Sequence, residues 1–213
     1  DTVFSSIDLQ GRYSYINQKI ICHWNISRFA EALIPLISKN RVDAIKIGKS
    51  IIDSFNNIYD KKWLLMMGSK LGFIEANSSD KLFILKLLSW MQKNRADFTN
   101  TFISLMKGDF SLNPSYKMQS FTDIYDEWIK RISLKKTETL SYDLMKSNNP
   151  IYIARNHNVE ESLKDIHNND NYEKYYKLLD VLKKPYKDKE AYNNYLMPGN
   201  SNFQKSFKTF CGT

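Results

Sequence analysis

An all-α fold is what this sequence predicts, and three observations predict it. Apolar residues recur at i, i+3, i+4 and i+7 spacing along nearly the whole chain. No run of alternating β-branched residues, internal repeat or low-complexity stretch interrupts that pattern. Seven glycines and five prolines in 213 residues leave little material for turn-dense β architecture or a flexible linker. With 42% hydrophobic and 14% aromatic residues, the chain can bury a sizeable core.

Taken in order, the first helix is predicted over Trp24 to Ser38, with Ile26, Phe29, Ala30, Leu33, Ile34 and Ile37 on one stripe. Pro35 should bend or end it, because proline removes a backbone donor and clashes with the preceding turn. A second stripe runs from Val42 through Ile45, Ile51, Ile52, Phe55 and Tyr59 towards Trp63 and Met67, and Gly68 and Gly72 punctuate a turn after it. A third helix starts near Ser79 or Asp80 and carries Leu82, Leu85, Leu88 and Trp90. Asp97 is the N-cap of a fourth, through Phe98, Phe102, Leu105 and Met106, stopped by Gly108. Residues 109–120 read as a loop. Helical spacing resumes at Phe121, Ile124, Tyr125, Trp128 and Ile132, and a short helix around Leu140 and Leu144 ends before Asn149-Pro150. Asn158 with Glu161 three residues on resembles a capping box. Asp170 precedes a helix with Tyr172, Tyr175, Tyr176, Leu179 and Leu182, which Pro185 follows. The tail from Pro198 is anchored by Phe203, Phe207 and Phe210.

Lys plus Arg number 31 and Asp plus Glu 23, a formal net charge of +8. The basic residues are dispersed and acidic residues interrupt each cluster, so solvated helix faces account for them better than a nucleic-acid surface. No apolar run is long enough to span a bilayer, and no membrane partner is expected. His23, His157 and His167 do not form a metal-binding pair on one helix, and no glycine-rich phosphate loop occurs. The carboxylates of Asp123, Asp126 and Glu127, and of Glu160 and Glu161, read as first-turn residues complementing helix dipoles. Cys22 sits on an apolar helix start, whereas Cys211, three residues from the end, is the candidate reactive thiol. From residue types alone the chain is a basic helical body with no self-contained active site, and a free-standing module binding an acidic protein or nucleic acid is the alternative reading. Starting on Asp1 inside a loop, it reads as a piece of something larger.

Several stretches together resemble the carboxy-terminal part of the selenoprotein O family of kinase-like protein adenylyltransferases. Asp8-Leu9-Gln10-Gly11-Arg12-Tyr13 with Asn17-Gln18 is similar to the family's D-x-x-G-R-Y-x-x-x-N-Q segment. Trp24-Asn25-Ile26-Ser27-Arg28-Phe29-Ala30 is similar to its W-N-L-x-R-L-A helix. Lys70-Leu71-Gly72-Phe73, Arg95-Ala96-Asp97-Phe98-Thr99 with Thr101-Phe102, Asn149-Pro150 with Ala154-Arg155-Asn156, and Lys184-Pro185-Tyr186 follow in the family's order, and Phe210-Cys211-Gly212-Thr213 completes it.

The resemblance implies the helical large lobe of a protein-kinase-like fold plus a carboxy-terminal helical extension. Residues 1–20 would end an activation-segment-like loop, 21–197 would form the lobe and extension, and 198–213 the tail. It implies transfer of AMP from ATP, bound flipped relative to kinases, to Ser, Thr or Tyr hydroxyls of protein substrates, with Mg2+ or Mn2+ as cofactor. The ATP and metal ligands would lie in a missing amino-terminal lobe, so no catalytic or metal residue is carried onto this chain, which alone would be inactive. Asp8, Gly11, Arg12 and Tyr13 are the activation-segment residues. Arg12 either pairs with a carboxylate or substrate group or anchors the loop. Where the family typically reads C-N-H-S-D, this chain reads Phe4-Ser5-Ser6-Ile7-Asp8. The family's tail cysteine, here Cys211, can pair with that first cysteine, but Phe4 takes its place and Cys22 is poorly suited to replace it. A bacterial cytoplasmic location, or a mitochondrial one in a eukaryote, follows from the same resemblance.

Overall fold

The computed structural model describes residues 2–133 and 138–210. It is all-α: among the described residues there are helices and 3-10 turns and no strand. In order these are α1 (Gln18–Ile37), α2 (Arg41–Lys70), α3 (Ser78–Lys93), α4 (Phe98–Lys107), α5 (Gln119–Ser133), α6 (Glu138–Asn148), α7 (Asn156–Asn169), α8 (Glu173–Lys183) and α9 (Ser201–Ser206). The chain divides into two compact units. Unit 1 holds residues 1–63 and 207–213, and unit 2 holds Leu64–Ser206.

Unit 1 contains the loop 2–17, α1 and most of α2. Helix α1 begins six residues before Trp24, and Pro35 lies inside its last turn, where only a terminal hydrogen bond is forfeited. The predicted stripes do not become core. Phe29 is 64% exposed, Ile51 63% and Val42 73%, Ala30, Leu33, Ile34 and Ile37 are half-buried, and the apolar residues buried before Met67 are Ile21 and Ala44. These helices are apolar on more faces than the described chain covers.

Unit 2 has its own core. In α3 the buried residues are Phe83, Ile84, Leu87, Trp90 and Met91, while Leu82 and Leu85 face solvent, so the predicted stripe is out of phase. The reason is Asp80. Asn77 and Asp80 form a reciprocal capping box, and Asp80 is itself buried because its carboxylate accepts Arg131 Nε at 2.6 Å and Nη2 at 3.0 Å from α5. That bidentate pair sets the rotation of α3. It also raises the Arg131 pKa, the hydrogen bond to Asp80 being the main cause.

Trp128 of α5 is fully buried and donates Nε1–H to the Leu71 carbonyl at 2.8 Å. Tyr116, in a 3-10 turn inside the 109–120 loop, is buried against Trp90 and Phe121, with its hydroxyl 2.9 Å from Thr101 Oγ1. Gly72 has φ +75°, and a Cβ there would lie 2.7 Å from the Ser141 carbonyl oxygen, so only glycine lets α6 approach.

The acidic residues assigned to first turns sit deeper. Helix α5 starts at Gln119 and α7 at Asn156, which puts Asp123, Asp126, Glu127, Glu160 and Glu161 beyond them. Glu127 instead pairs with Lys86, and Glu161 with Lys174. Arg155, not Asn158, is the N-cap of α7, and the Asn158 amide donates to the Arg155 carbonyl. In α8, Leu178 and Val181 are buried, whereas Tyr175, Tyr176 and the N-cap Tyr172 are exposed. Phe203 and Phe207 are half-buried, but Phe210 is 68% exposed and anchors nothing by burial. No helix among the described residues is long and apolar enough to cross a membrane.

Candidate functional site

The loop residues Asp8, Gly11, Arg12 and Tyr13 come together in unit 1 around one carboxylate. Asp8 Oδ1 accepts the Arg12 amide and Oδ2 the Tyr13 amide, each at 2.8 Å. This is the capping use of an Asp side chain, which closes a turn on backbone donors. Gly11 has φ +65°, so the chain reverses in the left-handed region between acceptor and donors. Asn17 Nδ2 donates to the Gly11 carbonyl at 2.9 Å and Gln18 Nε2 to the Tyr13 carbonyl at 2.6 Å. The D-x-x-G-R-Y-x-x-x-N-Q pattern is thus a self-bonded loop in which the side chains of Asp8, Asn17 and Gln18 each have a backbone partner.

Arg12 projects from this loop. Its guanidinium lies 4.7 Å from the Trp24 ring centroid and 5.7 Å from that of Tyr13, and among the described residues no carboxylate pairs with it. Cation–π stacking on Trp24 therefore holds the side chain while leaving its donors for another group. Sequence reasoning placed Arg12 and Trp24 in separate motifs and missed their contact. The only available signal was an arginine and a tryptophan in neighbouring segments, which is weak. Cys211 lies outside the described residues. Cys22 is a free, half-buried thiol.

Three further matched motifs meet in unit 2. Asp97 caps α4, its carboxylate accepting the Asn100 amide at 2.8 Å, and it is gripped by Arg155 through Nη1 at 2.9 Å and Nη2 at 3.0 Å. Arg155 is 7% exposed and also donates to Asn100 Oδ1 at 3.0 Å. Lys70 Nζ donates to the Asn148 carbonyl and to Asn149 Oδ1, both at 3.1 Å, and Asn149 Nδ2 returns a bond to the Lys70 carbonyl at 2.8 Å. The Lys70 ammonium also lies over the rings of Phe98 and Phe102. Three motifs spread over some eighty residues are therefore one packed junction. Its arginine and lysine are occupied by structure.

Burial pushes the Lys70 pKa below its ordinary 10.5, since its oxygen partners are neutral. Between the lowered pKa and 10.5, the unfolded chain keeps a proton that the folded chain has shed, so stability rises with pH through that window. Replacing Lys70 with Met should flatten this alkaline rise, read as urea midpoints against pH. Were the rise unchanged in the variant, it would belong to another group.

Among the described residues, no three His, Cys, Asp or Glu side chains converge to hold a metal ion. An open cleft of about 440 Å³ between the ends of α4 and α6 is charged, but its lysines are already paired, Lys107 with Asp188 and Lys146 with Asp143. The residues present thus do not fit an ATP–metal site, and no chemical step is assigned to them.

A helical chain carrying this loop and junction has identifiable relatives. Residues 2–183 match the family described as protein adenylyltransferase SelO, and the chain belongs to that family. It is 44% identical over its whole length to the protein nucleotidyltransferase YdiU of Nitrosococcus oceani, of which it covers 43%. It is 43% identical to that of Pelagibacter ubique, covering 44%, and 40% identical to that of Clostridium botulinum, covering 43%. The chain spans less than half the length of these relatives.

Proposed function

We propose that the chain is the carboxy-terminal helical part of a protein that transfers AMP from ATP to Ser, Thr or Tyr hydroxyls of other proteins. The identity of 44% to a protein nucleotidyltransferase across all 213 residues is the observation that carries this reading. ATP and Mg2+ or Mn2+ would be held by the polypeptide corresponding to the rest of the relatives, in the bacterial cytoplasm. Two features of unit 1 support a partner lobe. Large apolar side chains of α1 and α2 are exposed, Ile20, Phe29, Leu36, Val42 and Ile51 each by more than 60%. Arg12 meanwhile has donors left for a carboxylate or substrate group beyond its stack on Trp24.

Two measurements test the proposal. The chain alone should show no magnesium-dependent affinity for ATP by equilibrium binding. A fusion placing the unmatched part of the Nitrosococcus oceani relative upstream of Asp1 should bind ATP and transfer α-labelled AMP to protein. Magnesium-dependent ATP binding by the chain alone would overturn the placement of the site. A fusion that binds ATP yet transfers no AMP would overturn the activity.

A further inference from the structure

Helix α8 of unit 2 buries one side through Leu178 and Val181. At about 100° per residue, Tyr172, Tyr176, Leu179 and Lys183 fall on the opposite side, spaced i, i+4, i+7 and i+11. Tyr176 is 62% exposed, and it joins Tyr172 and Tyr175 into one cluster, with ring centroids 6.3 Å and 5.5 Å away. Apolar side chains scattered singly over a surface are ordinary, whereas three connected exposed rings make a patch.

The carboxy end of the same helix and the turn after it are basic. Residues 172–189 contain six lysines and three acids, and each acid is already engaged. Glu173 pairs with Lys177, Asp188 pairs with Lys107, and Asp180 accepts the Tyr192 hydroxyl. Lys174 pairs with Glu161 of α7, and Lys189 donates to the Tyr192 hydroxyl at 3.0 Å. Lys183, Lys184 and Lys187 are exposed and form no ion pair among the described residues.

We propose that this outer side of α8, with the turn after it, docks an acidic segment of a partner protein. An apolar residue of the segment rests on Tyr172 and Tyr176, and its carboxylates meet Lys183, Lys184 and Lys187. Tyr172 and Lys183 are eleven residues apart, roughly 16 Å along a helix axis, which about five residues of extended chain span. The tyrosines supply rigid contact area at little entropic cost, and the lysines supply complementary charge. A polypeptide suits this two-ended layout better than a nucleic acid does. Phosphates repeat along the whole of a strand, so its backbone would also run past Glu173, Asp180 and Asp188. A polypeptide can carry its carboxylates at one end only. The surface goes beyond the proposed activity and does not depend on it.

Fluorescence anisotropy of the 213-residue chain with a fluorescein-labelled copolymer of glutamate and tyrosine tests the surface. The copolymer should bind more tightly than polyglutamate or oligouridine of similar length, and added salt should weaken it. Tyr172→Ala with Tyr176→Ala should weaken binding about tenfold, and so should Lys183→Glu with Lys184→Glu. Lys61→Glu with Lys62→Glu, the same charge change in unit 1, should cost far less. If the double tyrosine variant melts below the unaltered chain, Tyr176→Ala alone carries that arm, with a loss of about threefold. The proposal fails if the copolymer does not bind, or if it binds the tyrosine variants as tightly as the unaltered chain. It fails if the unit 1 variant loses as much as the Lys183 and Lys184 variant, because net charge alone would then be the attraction. Tighter binding of oligouridine would make the surface one for nucleic acid. Loss of binding in the fusion with the upstream polypeptide would make that polypeptide the occupant, and either result overturns the proposal.

Discussion

Replacing Arg155 with Ala should destabilise unit 2 by about 3–5 kcal/mol, the usual cost of leaving one partner of a buried ion pair unmatched. The side chain is 7% exposed, and its loss strands the Asp97 carboxylate, three-quarters buried, together with Asn100 Oδ1. The partial exposure of Asp97 argues for the lower end of the range. Asp97 also caps α4, so the first turn of that helix should loosen as well. Urea unfolding should show the midpoint falling with the slope unchanged. Arg155→Lys should recover only a fraction, since an ammonium cannot make the two parallel bonds that the guanidinium makes. A loss below ~1 kcal/mol would mean that the pair is compensated and that the junction rests on packing alone.

Trp128→Ala should cost a similar amount, about 3–5 kcal/mol, by a different route. Here the loss is volume: the indole is fully buried, with Tyr125 and Tyr142 against it. Trp128→Phe separates the two parts of the effect. It keeps most of the ring but leaves the Leu71 carbonyl without its 2.8 Å donor, a cost of about 1–3 kcal/mol. Thermal unfolding of both variants should therefore fall in the order unaltered, Phe, Ala. Equal losses for Phe and Ala would assign the whole effect to the hydrogen bond.

What could be read from the sequence follows from what is local. Asp97 as a cap and Gly108 as a left-handed stop are decided within one turn of α4, and both stand where the spacing puts them. The all-α class is likewise a sum of local periodicities. The phase of α3 was not legible, because Leu82 and Leu85 are as apolar as Ile84 and Leu87. The choice between them falls to the Asp80–Arg131 pair, 51 residues apart in sequence. For α1 and α2 the periodicity identified apolar residues correctly but could not say that the described chain leaves them uncovered. In the loop, the order of Asp8, Gly11, Arg12 and Tyr13 was visible, but not that a single carboxylate organises them.

The bend at Gly72 separates the route of the chain from the chemistry of the junction. The direction of the chain there is written in the backbone, by a positive φ and a carbonyl oxygen 2.7 Å from where a side chain would begin. The flanking residues carry the chemistry, Lys70 towards Asn149 and the Leu71 carbonyl towards Trp128. Route and chemistry are thus held by different positions. Replacing Lys70 or Trp128 removes a partner of the corner, whereas replacing Gly72 removes the corner itself.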